Sequence, residues 1–167
     1  ARAAMLLLTL ASTLAAPALA ADKPTISVQD DGSIIARMLV DAPVLDVRRI
    51  IPDVQVDASL YTNVLTVKST AEGDCRKVHR TTRGLLTPLS MNTRFCPTPT
   101  GWREYLVQSE DYSAYDVEWT VEQRGTQAEI AVHVRSDVNL FVPDALVRTG
   151  TIQGFNESFL AILKRLL

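Results

Sequence analysis

At 167 residues with a net charge of −2, the chain is long enough to bury a sizeable core, and it has no basic run with which to follow a nucleic-acid backbone. Beyond the first twenty residues no stretch is apolar for long enough to cross a bilayer as a helix. A globular domain with a small-molecule or protein partner is what these quantities leave.

The chain opens ARAAMLLLTLASTLAAPALA. Arg2, the apolar run from Ala3 to about Leu14 and the closing Ala18-Leu19-Ala20 are the charged start, apolar centre and A-x-A cleavage site of a secretory signal peptide. We expect cleavage after Ala20, leaving Ala21–Leu167 as a single domain that is periplasmic or secreted. An N-terminal anchor helix is the alternative, and Pro17 and the shortness of the apolar run speak against it. No cysteine follows the cleavage point, so a lipid anchor is not expected. Position 1 is Ala, so the natural start is expected a few residues upstream.

Thr25–Gln29 and Ser33–Leu39 read as extended and flank Asp30-Asp31-Gly32, which makes them either a tight hairpin or one bulged strand. Asp41 suits a helix cap and Pro43 a first helical position. Val44, Val47, Ile50 and Ile51 form the apolar stripe of a short helix that Pro52 is expected to stop. Asp53–Tyr61 is then a second short helix or an irregular loop. From Asn63 onward the pattern is extended: Val64–Ser69, Cys75–Arg83, Leu89–Phe95 and Trp102–Ser109, with turns at Ala71–Asp74 and Pro97–Gly101. Tyr115, Val117, Trp119 and Val121 alternate with polar residues, as do Ala128, Ile130, Val132 and Val134, which is the pattern of half-buried strands.

If Lys77–Arg83 and Leu89–Phe95 pair as a hairpin around Gly84–Pro88, Cys75 and Cys96 face each other at its open end. In an oxidising compartment they would form a disulfide that closes a loop of roughly 20 residues, worth about 3 kcal/mol in the loop-entropy picture.

The final stretch, Val142–Leu167, carries Ile152, Phe155, Phe159, Ile162, Leu163 and Leu166 at three- and four-residue steps, one face of a long helix. Pro143 suits its first position, and Lys164 and Arg165 meet the negative end of its dipole. Gly150 and Gly154 share a face, and each costs about 1 kcal/mol against Ala in a helix interior. They mark either a break between a short helix at Val142–Thr149 and a longer one after it, or room for a ligand or a close-lying strand.

One strand hairpin or strand, one or two short helices, a strand meander and a long last helix give an α+β chain with segregated helices. Val40-Asp41-Ala42-Pro43-Val44-Leu45-Asp46-Val47 resembles the V-x-A-P-x-x-x-V strand-to-helix entry of the helix-grip superfamily, the START, polyketide cyclase/dehydratase and coenzyme-Q-binding-like (SRPBCC) domains. The segment from Gly101-Trp102 to Gly125-Thr126 is similar to the centre of their sheet, and Val142-Pro143 to the opening of their last helix. The resemblance implies a curved antiparallel sheet of about six to seven strands wrapped around the C-terminal helix, with an apolar cavity between them for a hydrophobic small molecule. No cofactor is expected.

Trp119 shares its strand face with Tyr115, Val117 and Val121, and such a face is either core or cavity wall. The same holds for Phe155 and Phe159. If a cavity exists, the residues expected to line it are Tyr105, Tyr115, Val117, Trp119, Ile130, Val132, Ile152, Phe155 and Phe159, although the strand around Tyr105 has no clear phase. His79 and His133 stand on polar strand faces with no Cys or carboxylate at ligand spacing, so no metal site is expected. Asp111, Asp116 and Glu118 read as solvated. Arg80, Arg83 and Arg94 read as surface charge, or else as an anchor for an acidic head group. No phosphate loop, G-x-S-x-G elbow or Cys/His nucleophile pair is present, and no catalytic residue is assigned.

The favoured expectation is therefore an exported carrier of a lipid, isoprenoid or quinone-like molecule. Ligand exchange would use Pro43–Tyr61 or the loop near Asp137–Pro143 as a gate, with transient membrane contact. An enzyme that cyclises or dehydrates a polyketide-like substrate, and a cavity-less envelope protein acting through a protein partner, are the alternatives.

Overall fold

Gly32 takes a φ of 83°, a conformation open to glycine, and so turns the chain between two strands. Thr25–Val28 (β1) and Ile34–Val40 (β2) are thus a hairpin, with Ile26 opposite Ala36. The computed structural model describes Ala21, residues 23–139 and residues 142–167; the expected signal segment, Ala1–Ala20, lies outside the described residues.

Six further strands follow the first helical region: Val64–Glu72 (β3), Cys75–Thr82 (β4), Leu89–Thr98 (β5), Gly101–Gln108 (β6), Tyr112–Arg124 (β7) and Gln127–Val138 (β8). They form one antiparallel eight-stranded sheet in the order β1-β2-β8-β7-β6-β5-β4-β3. The first hairpin accounts for the strand beyond the six to seven expected. Alternation places Ile34, Ala36, Met38 and Val40 of β2, Val117, Trp119 and Val121 of β7, and Ala128, Ile130 and Val132 of β8 on one buried face. Two helices cover that face. Val47, Ile51 and Val54 come from the first helix, and Phe155, Phe159, Ala161 and Ile162 from the last.

The first helix, α1, runs Val44–Gln55 and passes through Pro52 rather than stopping there. A proline removes one N–H from the helical ladder. The carbonyl left over is that of Arg48, and the Trp102 indole donates to it at 2.9 Å from the neighbouring sheet. Asp41 does not cap α1; Pro43 holds the N-cap position without a side-chain hydrogen bond. Beyond α1, a 3-10 turn spans Ala58–Leu60, and the Asp57 carboxylate accepts the Ser59 N–H at 3.0 Å at its start.

The last helix, α2, is continuous over Asp144–Leu166. The expectation at its start does not hold, and of the two readings of its glycines the break does not. Pro143 is the N-cap rather than the first helical residue, and Gly150 and Gly154 sit inside an unbroken helix. Burial of Phe155, Phe159 and Ile162 against the sheet offsets the poor propensity of the two glycines. Cys75 and Cys96 are joined by a disulfide, with Cα atoms 4.2 Å apart, at the end of the β4–β5 pairing. Among the described residues no helix is long and apolar enough to cross a membrane.

Candidate ligand cavity

The C-terminal half of α2 lies on the sheet, and its N-terminal half stands off it. Between them is a cavity of about 410 Å³. That is within the range of roughly 300–1,000 Å³ usual for small-molecule sites. Gly150 and Gly154 form part of its wall. A Cβ at Gly154 would have no neighbour within 4 Å, and one at Gly150 only the Asn63 Nδ2, at 3.3 Å. The glycines that weaken the helix are therefore the positions where its wall gives way to open space.

Five of the nine residues expected at a cavity line it: Tyr115, Val117 and Trp119 from β7, Val132 from β8 and Phe155 from α2. Ile130 and Phe159 are instead sealed in the core, and the Phe159 ring meets Trp119 edge-on at 6.2 Å. Ile152 packs against the same core without reaching the cavity. Tyr105 points to the opposite side of the sheet. In β6 the inward phase belongs to Trp102, Glu104 and Leu106, and the Tyr105 ring lies under the Arg103 guanidinium at 5.6 Å.

One end of the cavity is polar, and the sequence reading missed most of it. Arg80 is 3% exposed rather than a surface charge, and its Nη2 donates to Glu104 Oε1 at 2.6 Å. Glu104 is fully buried behind the wall; its other oxygen accepts from Thr93 Oγ1 at 3.1 Å. Gln55, the last residue of α1, ties the group together. Its backbone carbonyl accepts from Arg80 Nη1 and Nη2 at 3.3 Å, its Nε2 donates to Glu104, and its Oε1 accepts from the Trp119 indole at 3.0 Å. Three tyrosines stand around this cluster. Tyr61 donates to the Val54 carbonyl at 3.0 Å and shares a bond with Ser158 Oγ at 2.9 Å; Tyr112 shares one with Thr82 Oγ1 at 2.8 Å. Tyr115, edge-on to Tyr112 at 6.3 Å, has no hydroxyl partner among the described residues.

Burial raises the pKa of all three phenols. It pushes Tyr61 up to about 12, raises Tyr112, and raises Tyr115 further, where the Glu104 charge adds to the effect. Burial works against the Arg80 charge, and Glu104 more than restores it, so the guanidinium stays charged.

Of the other candidate groups, only Arg83 borders the cavity. Arg94 pairs with Glu72 at 3.3 Å near the surface, and Arg83, exposed at the cavity rim, donates to the Thr62 carbonyl. His79 bonds Asn92 and His133 bonds Ser33, both from exposed positions. Asp116 binds Arg103 with both oxygens, Asp111 accepts the Ser90 N–H, and Glu118 is exposed. Among the described residues no three potential metal ligands come together.

Two signals in the sequence could have found the polar cluster. Arg80 is two residues from Val78 and so shares its inward face, and Glu104 is flanked in phase by Trp102 and Leu106. Tyr61 and Gln55 come from an irregular segment and a helix end, where periodicity carries no signal.

No protein-family model matches the chain, and no curated protein matches it in sequence. Solved structures do match in fold. The Zhui aromatase/cyclase from Streptomyces sp. R1128 superposes with a TM-score of 0.64 at 12% identity, over 80% of this chain and 92% of that one. A START superfamily protein from Mycobacterium smegmatis gives 0.63 at 13% identity, over 80% and 96%. A STAR-related lipid transfer protein from Xanthomonas axonopodis gives 0.59 at 11% identity, over 87% and 99%. At such identities the likeness is one of fold. The chain has the α+β helix-grip, START-like fold.

Proposed function

From a START-like fold that keeps an open cavity, we propose that this protein is an exported carrier of a hydrophobic small molecule of the lipid, isoprenoid or quinone-like class. The cavity of about 410 Å³ between the sheet and the first half of α2 carries the proposal. The ligand's apolar body would lie against Val117, Trp119, Val132 and Phe155, in the space that Gly150 and Gly154 leave free. Affinity would come from apolar burial, about 25 cal/mol per Å² before ordering costs. The signal-like N-terminus and the Cys75–Cys96 disulfide support export, since disulfides persist in oxidising compartments.

A gate would be needed. Tyr61, bonded to Ser158, and Thr62, whose N–H donates to Glu157 at 2.9 Å, tie the segment after α1 to α2 across the cavity's flank. The second expected movable part, near Asp137–Pro143, lies partly outside the described residues.

Native mass spectrometry of the protein isolated from its own compartment, followed by organic extraction, tests the proposal. A stoichiometric apolar molecule is the expected result. A clean apo mass with no uptake from a lipid extract would overturn it and favour action through a protein partner. One observation favours a catalytic alternative, a cyclase-like enzyme: Arg80 and the neutral Tyr115 hydroxyl border the cavity, where they could polarise a bound carbonyl. Turnover of a polyketide-like substrate that Tyr115→Phe abolishes would establish it.

A further inference from the structure

Two cations line the cavity, and they stand at opposite ends of it. Arg80 is at the inner end, its side chain 4% exposed, and it pairs with Glu104 at 2.6 Å. Arg83 is exposed at the mouth. Its backbone N–H donates to the Asn63 carbonyl at 2.8 Å and its Nε to the Thr62 carbonyl at 3.1 Å. Its Nη1 and Nη2 have no hydrogen-bond or ion-pair partner among the described residues. Glu157, the one acid among the lining residues, is beyond ion-pair distance of Arg83 and gives Oε2 to the Thr62 N–H at 2.9 Å. Thr62 thus stands between the two charges and keeps them apart. An arginine fixed through Nε has already lost much of its rotamer freedom, and it still offers two Nη groups as a fork for two acceptor oxygens.

Burial decides at which end a charged ligand group can sit. A carboxylate at the inner end would lose its hydration beside a pair that is already neutral, which is unfavourable. At Arg83 it keeps its contact with water. Apolar surface continues inward from that point. Leu85 and Leu146, 61% and 49% exposed, line the cavity on its open side, and Val117, Trp119 and Phe155 line it as buried residues. We propose that the cavity takes an anionic amphiphile of the fatty-acid type, its carboxylate outward on Arg83 Nη1 and Nη2 and its chain running inward to Trp119. The proposal rests on the carrier reading above and adds the charge of the ligand and the direction in which it lies.

The experiment uses two probes with the same apolar chain, dodecanoate and its methyl ester, titrated calorimetrically at pH 8 and low ionic strength. Arg83→Gln should weaken dodecanoate about fivefold or more and change the ester by less than about twofold. The ester serves as the control for the lost tie to Thr62, which both probes would feel alike. Salt at about 0.5 M should remove most of the Arg83 effect, because the charge pair is exposed. Glu157→Gln keeps an acceptor for the Thr62 N–H and removes a like charge from the mouth, so it should tighten dodecanoate and leave the ester unchanged. Bromine on the chain reads the direction, since it quenches an indole that it touches. Trp119 lines the cavity and Trp102 does not. Dodecanoate brominated at its last carbon should quench Trp119, and dodecanoate brominated beside the carboxylate should not. An Arg83→Gln protein that loses no more affinity for the acid than for the ester, or quenching by the head-end bromine alone, overturns the proposal and leaves the carrier reading standing. If neither probe binds, the proposal falls, and the mass spectrum of the native protein decides the carrier reading separately.

Discussion

The Trp102 indole N–H donates to the Arg48 carbonyl at 2.9 Å, and Arg48 is the residue whose helical partner would have been Pro52. A side chain of β6 thus replaces the hydrogen bond that the proline deletes, and this fastens α1 to the sheet in the middle of its length. Arg48 returns the tie: its guanidinium donates to the Val121 carbonyl at 2.7 Å. Trp102→Phe should keep the ring contact with Phe95, now 5.3 Å between centroids, and leave the carbonyl unpaired. We expect a loss of about 1–3 kcal/mol by urea denaturation. In a Pro52→Ala background the helix regains its own donor, so the same substitution should be milder. Equal effects in both backgrounds would mean that the indole bond does not substitute for the helical one.

That pair also shows where the sequence was legible and where it was not. The strands around Val117 and Ile130 and the apolar face of Phe155, Phe159 and Ile162 could be read directly, because strict periods of two and of 3.6 survive when one face is buried. The disulfide followed from hairpin geometry. Pro52 misled because the compensating donor comes from a residue 50 positions away, and no local rule contains it. Gly150 and Gly154 read locally as either a break or room for a ligand, and it is tertiary packing on the next two turns, holding the helix together, that decides against the break. The Arg80–Glu104 pair was missed for a related reason: two charges on inward strand positions make sense only once the strands are known to lie two apart in the sheet.

Gly154 separates stability from ligand capacity. Its Cβ position is empty to 4 Å, so Gly154→Ala should gain about 1 kcal/mol of helix propensity with no clash. The thermal midpoint should rise. Gly154→Leu should also fold, since its side chain would enter the cavity, but it should abolish uptake of the apolar probes. A Gly154→Leu protein that still binds them would place the ligand elsewhere.

The buried ion pair should be strongly asymmetric under mutation. Arg80→Leu leaves Glu104 charged at 0% exposure, and we expect a loss of about 3–5 kcal/mol. Replacing both partners, Arg80→Leu with Glu104→Leu, removes the stranded charge and should recover most of that loss. Denaturant midpoints of the two singles and the double give the coupling directly. A double variant as unstable as the singles added together would show that the pair does not act as a unit.

Alkaline pH should loosen the cavity wall through its phenols. Tyr61 titrates near 10 when unfolded, and burial pushes it up to about 12 in the fold. A folded pKa above the unfolded one means the fold holds the proton more tightly, so the stabilisation is complete below pH 10. It is lost as pH rises through 10 to 12. Two units correspond to about 3 kcal/mol, and Tyr112 and Tyr115 shift in the same direction. The native protein at pH 11 should therefore show less phenolate absorbance than the same protein in denaturant, and its unfolding midpoint should fall between pH 10 and 12. Tyr61→Phe should flatten that fall at the expense of the bond to Ser158, the tie between the segment after α1 and α2. If the slope is unchanged in Tyr61→Phe, the phenol at this flank is not what makes the fold sensitive to base.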